Sequence, residues 1–295
     1  MKEGQRQGLV AGSRIKNRIG RRTRSILFVA FLALFGTFAS PAFCELSGSG
    51  KYIGLYSPRD LMEGDVIILP TESGIDVLSL SNLALVDHID VEWKDILDTE
   101  LGLSNGKVVY LENGIKMYDL KTKEKRMLKA PEDGEIFENL VFSYPWIGYR
   151  ETKREDNSTK LDIISVEGDR VYEASGEPWD SFVSAWKNLF VIRKSELFEI
   201  FDVEEKKVIS SHNAKRNQIE YACIDGEWVA YIDSATDWSQ PNNIYLWNYR
   251  TGEERLILKG ARGKPNGLRA EIASDCILAN STLVWKQSLN SQGER

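Results

Sequence analysis

Residues able to do chemistry are sparse in this 295-residue chain, and those that stand out suit holding a ligand rather than transforming one. Only two histidines occur, His88 and His212, too few and too scattered for the usual zinc site. The Gly-x-Ser-x-Gly nucleophile elbow is absent, as is the D-x-[DN]-x-[DN]-G spacing of an oxygen-rich calcium loop. Gly48-Ser49-Gly50-Lys51 looks like the end of a phosphate loop, but Tyr52 stands where Ser or Thr is needed and no strand precedes it, so it reads as a spacer. No metal and no cofactor is expected. Binding chemistry is offered by Ser234 to Asn243, which carries Asp237, Trp238 and Gln240, and by Lys259 to Gly267, with Arg262 and Lys264. A tryptophan among short polar and charged side chains is the composition of an interface anchor. Arg150 to Lys160, rich in charge, and Ser234 to Asn243 are both expected to be unusually long loops between second and third strands.

Those segments must be held by strands. Asp225 to Lys259 reads as a meander: a strand over Trp228 to Ile232, a loop closed by Pro241-Asn242-Asn243, a strand over Ile244 to Tyr249, a tight turn at Arg250-Thr251-Gly252-Glu253, and a strand over Arg255 to Leu258. One meander cannot bury both faces, so it must stack on copies of itself. The copies are legible at the turn after the third strand. Trp247-Asn248-Tyr249-Arg250-Thr251-Gly252-Glu253 matches Tyr118-Asp119-Leu120-Lys121-Thr122-Lys123-Glu124, and Phe201-Asp202-Val203-Glu204-Glu205-Lys206-Lys207 is a third copy. Ile164 to Arg170 and Leu78 to Asn82 are degraded ones.

From Lys51 onward apolar runs alternate with turn signals, and no window sustains a helical period over three turns; a single helical turn near Trp93 to Leu97 is the exception. Second-strand centres align at Ile67, Val109, Gly148, Val191, Ala230 and Leu278. Their spacing, about 40 residues, is that of a four-stranded propeller blade. The chain is therefore expected to be all-β, a β-propeller of about six four-stranded blades over residues 45–295. The last repeat is expected to have three strands, Leu268 to Ala273, Cys276 to Ala279 and Thr282 to Leu289, with Lys51 to Tyr56 available to complete it. Trp146 and Trp228, equivalent in the repeat, are expected to fill space between blades. Asp225-Gly226, Asp133-Gly134, Asn105-Gly106 and Asn113-Gly114 are expected to form turns.

Residues 1–44 precede this body. They hold 8 of the 38 Lys+Arg and 1 of the 44 Asp+Glu, followed by the apolar Ile26 to Phe38 and the small residues Ala39-Ser40-Pro41-Ala42. This is the layout of a secretory signal cleaved after Ala42, or of an uncleaved anchor, since Ile26 to Phe43 is long enough at the short limit to span a bilayer. Either way the body is expected outside the cytoplasm, in the periplasm or at the cell surface, with membrane contact only through this segment. There Cys223 and Cys276 either pair or stay as small buried strand residues. The body carries 30 Lys+Arg against 43 Asp+Glu, an acidity that repels phosphate and argues against nucleic acid.

The pattern D-G-x-x-[VI]-A-[YF], then I-Y-[LV]-[WM]-[DN]-x-x-T-G-E-x-x-x-L, resembles the repeat of TolB-like propellers and of the non-catalytic propeller domains of dipeptidyl-peptidase-like and prolyl-oligopeptidase-like enzymes. The resemblance is strongest over Asp225 to Leu258, fair over Asn105 to Leu128, and departs at Cys223-Ile224 and at the glycine of T-G-E, which most copies lack. It implies a fold class, and two functions fit that fold. One is an exported non-catalytic scaffold binding a protein, peptide or cell-envelope component. The other is a propeller lyase or hydrolase using carboxylates or a metal in the central channel, which would require acidic or histidine side chains to converge on the axis. For the scaffold, the second-to-third-strand loops and the crossovers between blades fall on one side of the disc, which makes that side the expected binding face, with Trp238 as anchor.

Overall fold

The computed structural model describes residues 61–93, 100–194, 197–213, 215, 217–235, 243–259, 272–279 and 282–288. The expectations for residues 1–44, for Lys51 to Tyr56 and for a helical turn past Trp93 lie outside the described residues. Within them the chain forms five four-stranded antiparallel sheets and one two-stranded sheet. The first blade is β1 (Met62–Glu63), β2 (Val66–Thr71), β3 (Gly74–Ser79) and β4 (Leu85–Asp90). The second is β5 (Leu101–Ser104), β6 (Lys107–Leu111), β7 (Ile115–Asp119) and β8 (Lys125–Lys129). The third is β9 (Glu135–Ser143), β10 (Trp146–Lys153), β11 (Thr159–Ser165) and β12 (Arg170–Gly176). The fourth is β13 (Ser181–Trp186), β14 (Leu189–Lys194), β15 (Leu197–Asp202) and β16 (Lys207–Asn213). The fifth is β17 (Asn217–Asp225), β18 (Trp228–Ala235), β19 (Asn243–Asn248) and β20 (Glu254–Leu258), and the pair is β21 (Ile272–Ala279) with β22 (Thr282–Ser288).

First strands pack on first strands: β1 on β5, β5 on β9, β9 on β13, β13 on β17 and β17 on β21. That is the arrangement of blades side by side around an axis, as a propeller requires. Each seam between blades is an apolar layer. Ile68, Ile75 and Val77 of the first blade meet Leu103, Val108 and Tyr110 of the second, while the next residue, Val109, joins Phe142, Ile147 and Tyr149 on the other side. Strands buried on both faces read as continuous apolar runs, which is why the sequence shows little alternation. Burial of each large side chain in these layers contributes roughly 1.5–3 kcal/mol, available only once a neighbouring blade is present. Trp228 packs beside Cys223, Ala230 and Leu278, and Trp146 against the layer between the third and fourth blades, both as spacers.

The two ends of the blades are built differently. At one end, here the turn face, a side-chain oxygen at the close of the third strand caps the following turn in four of the five blades. Asp119 Oδ1 accepts from the amides of Lys121 and Thr122 at 2.8 and 3.1 Å, Asp202 Oδ1 from Glu204 and Glu205 at 2.9 and 3.1 Å, and Asn248 Oδ1 from Arg250 and Thr251 at 3.0 and 3.0 Å. Ser165 Oγ serves the third blade, accepting from Glu167 and Asp169. One residue of each turn then enters the left-handed region: Leu83 (φ 55), Lys123 (φ 63), Gly168 (φ 93), Lys206 (φ 54) and Gly252 (φ 75). So the missing glycine of T-G-E is a change of residue without a change of conformation. In all five blades the residue after the third strand also donates its amide to the first turn: Leu80 to Asp65, Leu120 to Gly106, Val166 to Pro145, Val203 to Asn188 and Tyr249 to Glu227, at 2.8 to 3.1 Å.

Two expectations are corrected. The third-repeat segment Arg150 to Lys160 is not a long loop, because β10 continues to Lys153 and β11 resumes at Thr159. Four of its charges sit on strands with partners: Arg150 pairs with Glu138 at 2.6 Å, Glu151 with Lys129 at 2.8 Å, Lys153 with Glu135 at 3.7 Å and Lys160 with Glu173 at 3.6 Å. In the last repeat, Ile272–Ala279 is one strand and Leu278 belongs to it, not to a second strand. The residue taken as a break, near Asp275, is a bulge, and Ala279 faces Thr282 across the turn as Asp225 faces Trp228 in the fifth blade.

Candidate binding face

Opposite the turn face, the described residues of the crossovers and of the second-to-third-strand loops share no common pattern. Trp238, Asp237, Gln240, Arg262 and Lys264, the residues expected on this side, lie outside the described residues. What the structure places here instead is the crossover from the third to the fourth blade, Glu177-Pro178-Trp179-Asp180.

This crossover is short and heavily braced. The Glu177 amide donates to Asp180 Oδ2 at 3.1 Å and the Asp180 amide donates back to the Glu177 carbonyl at 2.9 Å, closing a turn around proline, whose fixed φ suits such a position. Arg150, rising from β10, holds Glu138 with Nε at 3.2 Å and Nη2 at 2.6 Å. Its Nη1 donates to the Pro178 carbonyl at 3.0 Å and lies 3.5 Å from that of Asp180. Arg193, at the equivalent position on β14, donates to the Trp179 carbonyl at 3.4 Å. Main-chain carbonyls of 178, 179 and 180 are thus all turned inward onto guanidinium groups. The Trp179 side chain is left outside, 72% exposed, the most exposed large hydrophobic side chain among the described residues. Exposing an indole forgoes roughly 1.5–3 kcal/mol that burial of a large apolar side chain provides. Held on an ordered turn, it presents apolar area without a large ordering cost on contact.

Around this face the seams carry buried charge. Lys129 reaches Glu151 at 2.8 Å and lies 3.9 Å from Asp162, with its ammonium over the rings of Phe137 and Tyr149 at 5.3 and 5.2 Å. Burial pushes the Asp162 carboxyl up despite Arg170 at 3.2 Å, and burial also raises the Tyr149 phenol. Between the fourth and fifth blades, His212 Nε2 lies 2.9 Å from Glu254 Oε1 and 3.1 Å from the Tyr231 hydroxyl, which donates to the same carboxylate. Burial pushes Glu254 up, but hydrogen bonds from Lys215, Tyr231 and His212 outweigh it and hold the group below its usual range. The other histidine, His88, pairs with the fully buried Asp76 at 2.6 Å. Both histidines stand on fourth strands, β4 and β16, the strands farthest from the inner ring. Among the described residues no group of three or more His, Cys, Asp or Glu could hold a metal ion.

Sequence reasoning went to the longest loops and passed over Trp179. The signal was available in Gly176-Glu177-Pro178-Trp179-Asp180, where turn-forming residues frame a tryptophan.

No protein-family model matches the chain, and no curated protein matches it. Among solved structures, it is similar to an oligogalacturonate lyase in complex with manganese, at 11% identity over 78% of this chain and 68% of that one, with a TM-score of 0.51. It is likewise similar to the oligogalacturonate lyase of Vibrio parahaemolyticus, at 11% identity over the same shares, with a TM-score of 0.52. Likeness at that identity concerns the fold and not the chemistry. In fold this chain is a β-propeller built from repeated four-stranded blades.

Proposed function

We propose that this propeller is an exported, non-catalytic scaffold that docks a protein or peptide on its crossover face, with Trp179 as the anchor. The observation that carries the reading is a 72% exposed tryptophan on a turn clamped by Arg150, Arg193 and Asp180. Tryptophan and arginine are the residues over-represented where interface energy concentrates. The position of both histidines on fourth strands, each engaged by a carboxylate, supports a binding role over channel chemistry. The basic, apolar and small-residue layout of residues 1–44 supports export. A photo-reactive residue placed at Trp179, and separately at Lys121 on the turn face, tests the docking site in the exported chain. Crosslinks formed from 179 and not from 121 are expected; equal labelling from both would remove the crossover face from the account.

A further inference from the structure

Three aromatic rings at the surface among the described residues are paired with cations from the same chain. Lys107 lies 5.9 Å from the Tyr144 ring centre, Lys187 4.3 Å from Trp186 and Arg255 5.2 Å from Trp228. Tyr144, 37% exposed, is the other exposed aromatic side chain among the described residues, and it has its lysine. Trp179 has neither a cation nor a ring partner among them. The attraction of a cation to an indole face is the strongest of its kind among side chains.

Exposed carboxylates flank the crossover that carries Trp179. Glu177 is two residues away and exposed. The pairing of Thr159 with Gly176 sets the hairpin loop 154–158 beside the crossover, and this loop exposes Glu155 and Asp156. Hydrogen bonds from Ser158 hold the Asp156 carboxyl below its usual range, so it stays ionised. The neighbouring bases are largely committed, Arg150 to Glu138 and to the crossover carbonyls, Arg193 to the Trp179 carbonyl at 3.4 Å, Lys153 to Glu135 at 3.7 Å and Lys160 to Glu173 at 3.6 Å. Arg154 remains against three carboxylates. The body as a whole is acidic, which favours approach of a basic partner.

Resting on the docking reading above, we propose that the partner is a basic peptide segment that places a lysine or arginine side chain over Trp179, within reach of Glu177 and the 154–158 loop. Calorimetric titration of the full chain with an Arg-Gly repeat peptide, its Glu-Gly counterpart and a Ser-Gly control tests this. The Arg-Gly peptide is expected to bind and the other two not. Trp179→Ala should weaken that binding roughly tenfold and Trp179→Phe by less, with further loss as salt rises. Because the side chain is exposed, Trp179→Ala should keep the parent melting temperature, which confirms that the loss is one of recognition. Binding unchanged by Trp179→Ala, binding of the Glu-Gly peptide as tight, or no binding of the Arg-Gly peptide each overturns the proposal. Crosslinks from 179 landing on partner segments without lysine or arginine would overturn it while leaving the docking face intact, whereas no crosslinks from 179 would remove both.

Discussion

The turn face repeats one solution five times, whereas the described residues of the crossover face show no bond kept through every blade. On the turn face, the amide after every third strand reaches the carbonyl of the first turn, and in four blades a side-chain oxygen caps the turn between. On the crossover face, the second-to-third-strand link is two residues in the first blade, Glu72 and Ser73, and five in the third, residues 154–158. The crossovers are braced by unrelated means. Glu100 accepts the Leu140 amide ahead of the second blade, and the Trp93 indole donates to the Thr71 carbonyl at 2.9 Å. A pattern kept through every blade answers to folding, which each blade must solve alike. Its absence marks the side free to answer to something else.

The comparison breaks most readily at Asp202. Its buried carboxylate accepts from the Asn188 side chain at 2.8 Å and from two backbone amides, so Asp202→Ala strands three donors and should cost about 3 kcal/mol in urea unfolding. A loss below about 1 kcal/mol would mean that the turn face does not govern stability.

Acid should sharpen it next. Hydrogen bonds from the Lys107 ammonium and from the amides of Thr122 and Lys121 depress the Asp119 carboxyl to about 2, from an ordinary 3.8. A carboxylate with a depressed folded value stabilises above the unfolded value, and that contribution is lost as pH falls from about 3.8 through about 2. After allowance for solvent screening it amounts to roughly 1–2 kcal/mol. Asp119→Asn should remove that part of the acid dependence between pH 4 and pH 2, and an unaltered stability profile against pH would contradict the assignment.

A smaller gain is expected where turn residues other than glycine hold positive φ. Leu83→Gly and Lys206→Gly should each raise stability by up to about 1 kcal/mol, the left-handed penalty less the added entropy of the unfolded chain. The same change at Ser158, in the crossover-face loop, should gain nothing. Smallest of all, Glu177→Ala and Trp179→Ala should shift unfolding by less than about 0.5 kcal/mol, since both side chains are exposed; a larger loss from either would return that crossover to the scaffold.

The same asymmetry governs what could be read from sequence. Second strands were legible at Ile67, Val109, Gly148, Val191 and Ala230 because burial on two faces leaves an apolar run in every repeat. Turns were legible where the capping side chain survives, as at Asp119, Asp202 and Asn248. Leu278 was misplaced because a bulge near Asp275 imitates the end of a strand. The seams were legible only at Trp146 and Trp228, and their charged contacts not at all. Lys129 with Glu151, or His212 with Tyr231 and Glu254, join residues from different strands and blades, and spacing carries no trace of which blade face a side chain takes. Trp179 was hidden differently, since one exposed residue leaves no period.

The amide that each blade returns to its own first turn spans few residues: Leu80 to Asp65, Leu120 to Gly106, Val203 to Asn188. A blade therefore latches its lower edge with contacts local in the chain, before the next blade has been synthesised. Such an order suits a polypeptide leaving a ribosome or a translocation pore from its amino end, where each emerging meander could set its own edge and then offer an apolar wall to the one behind it.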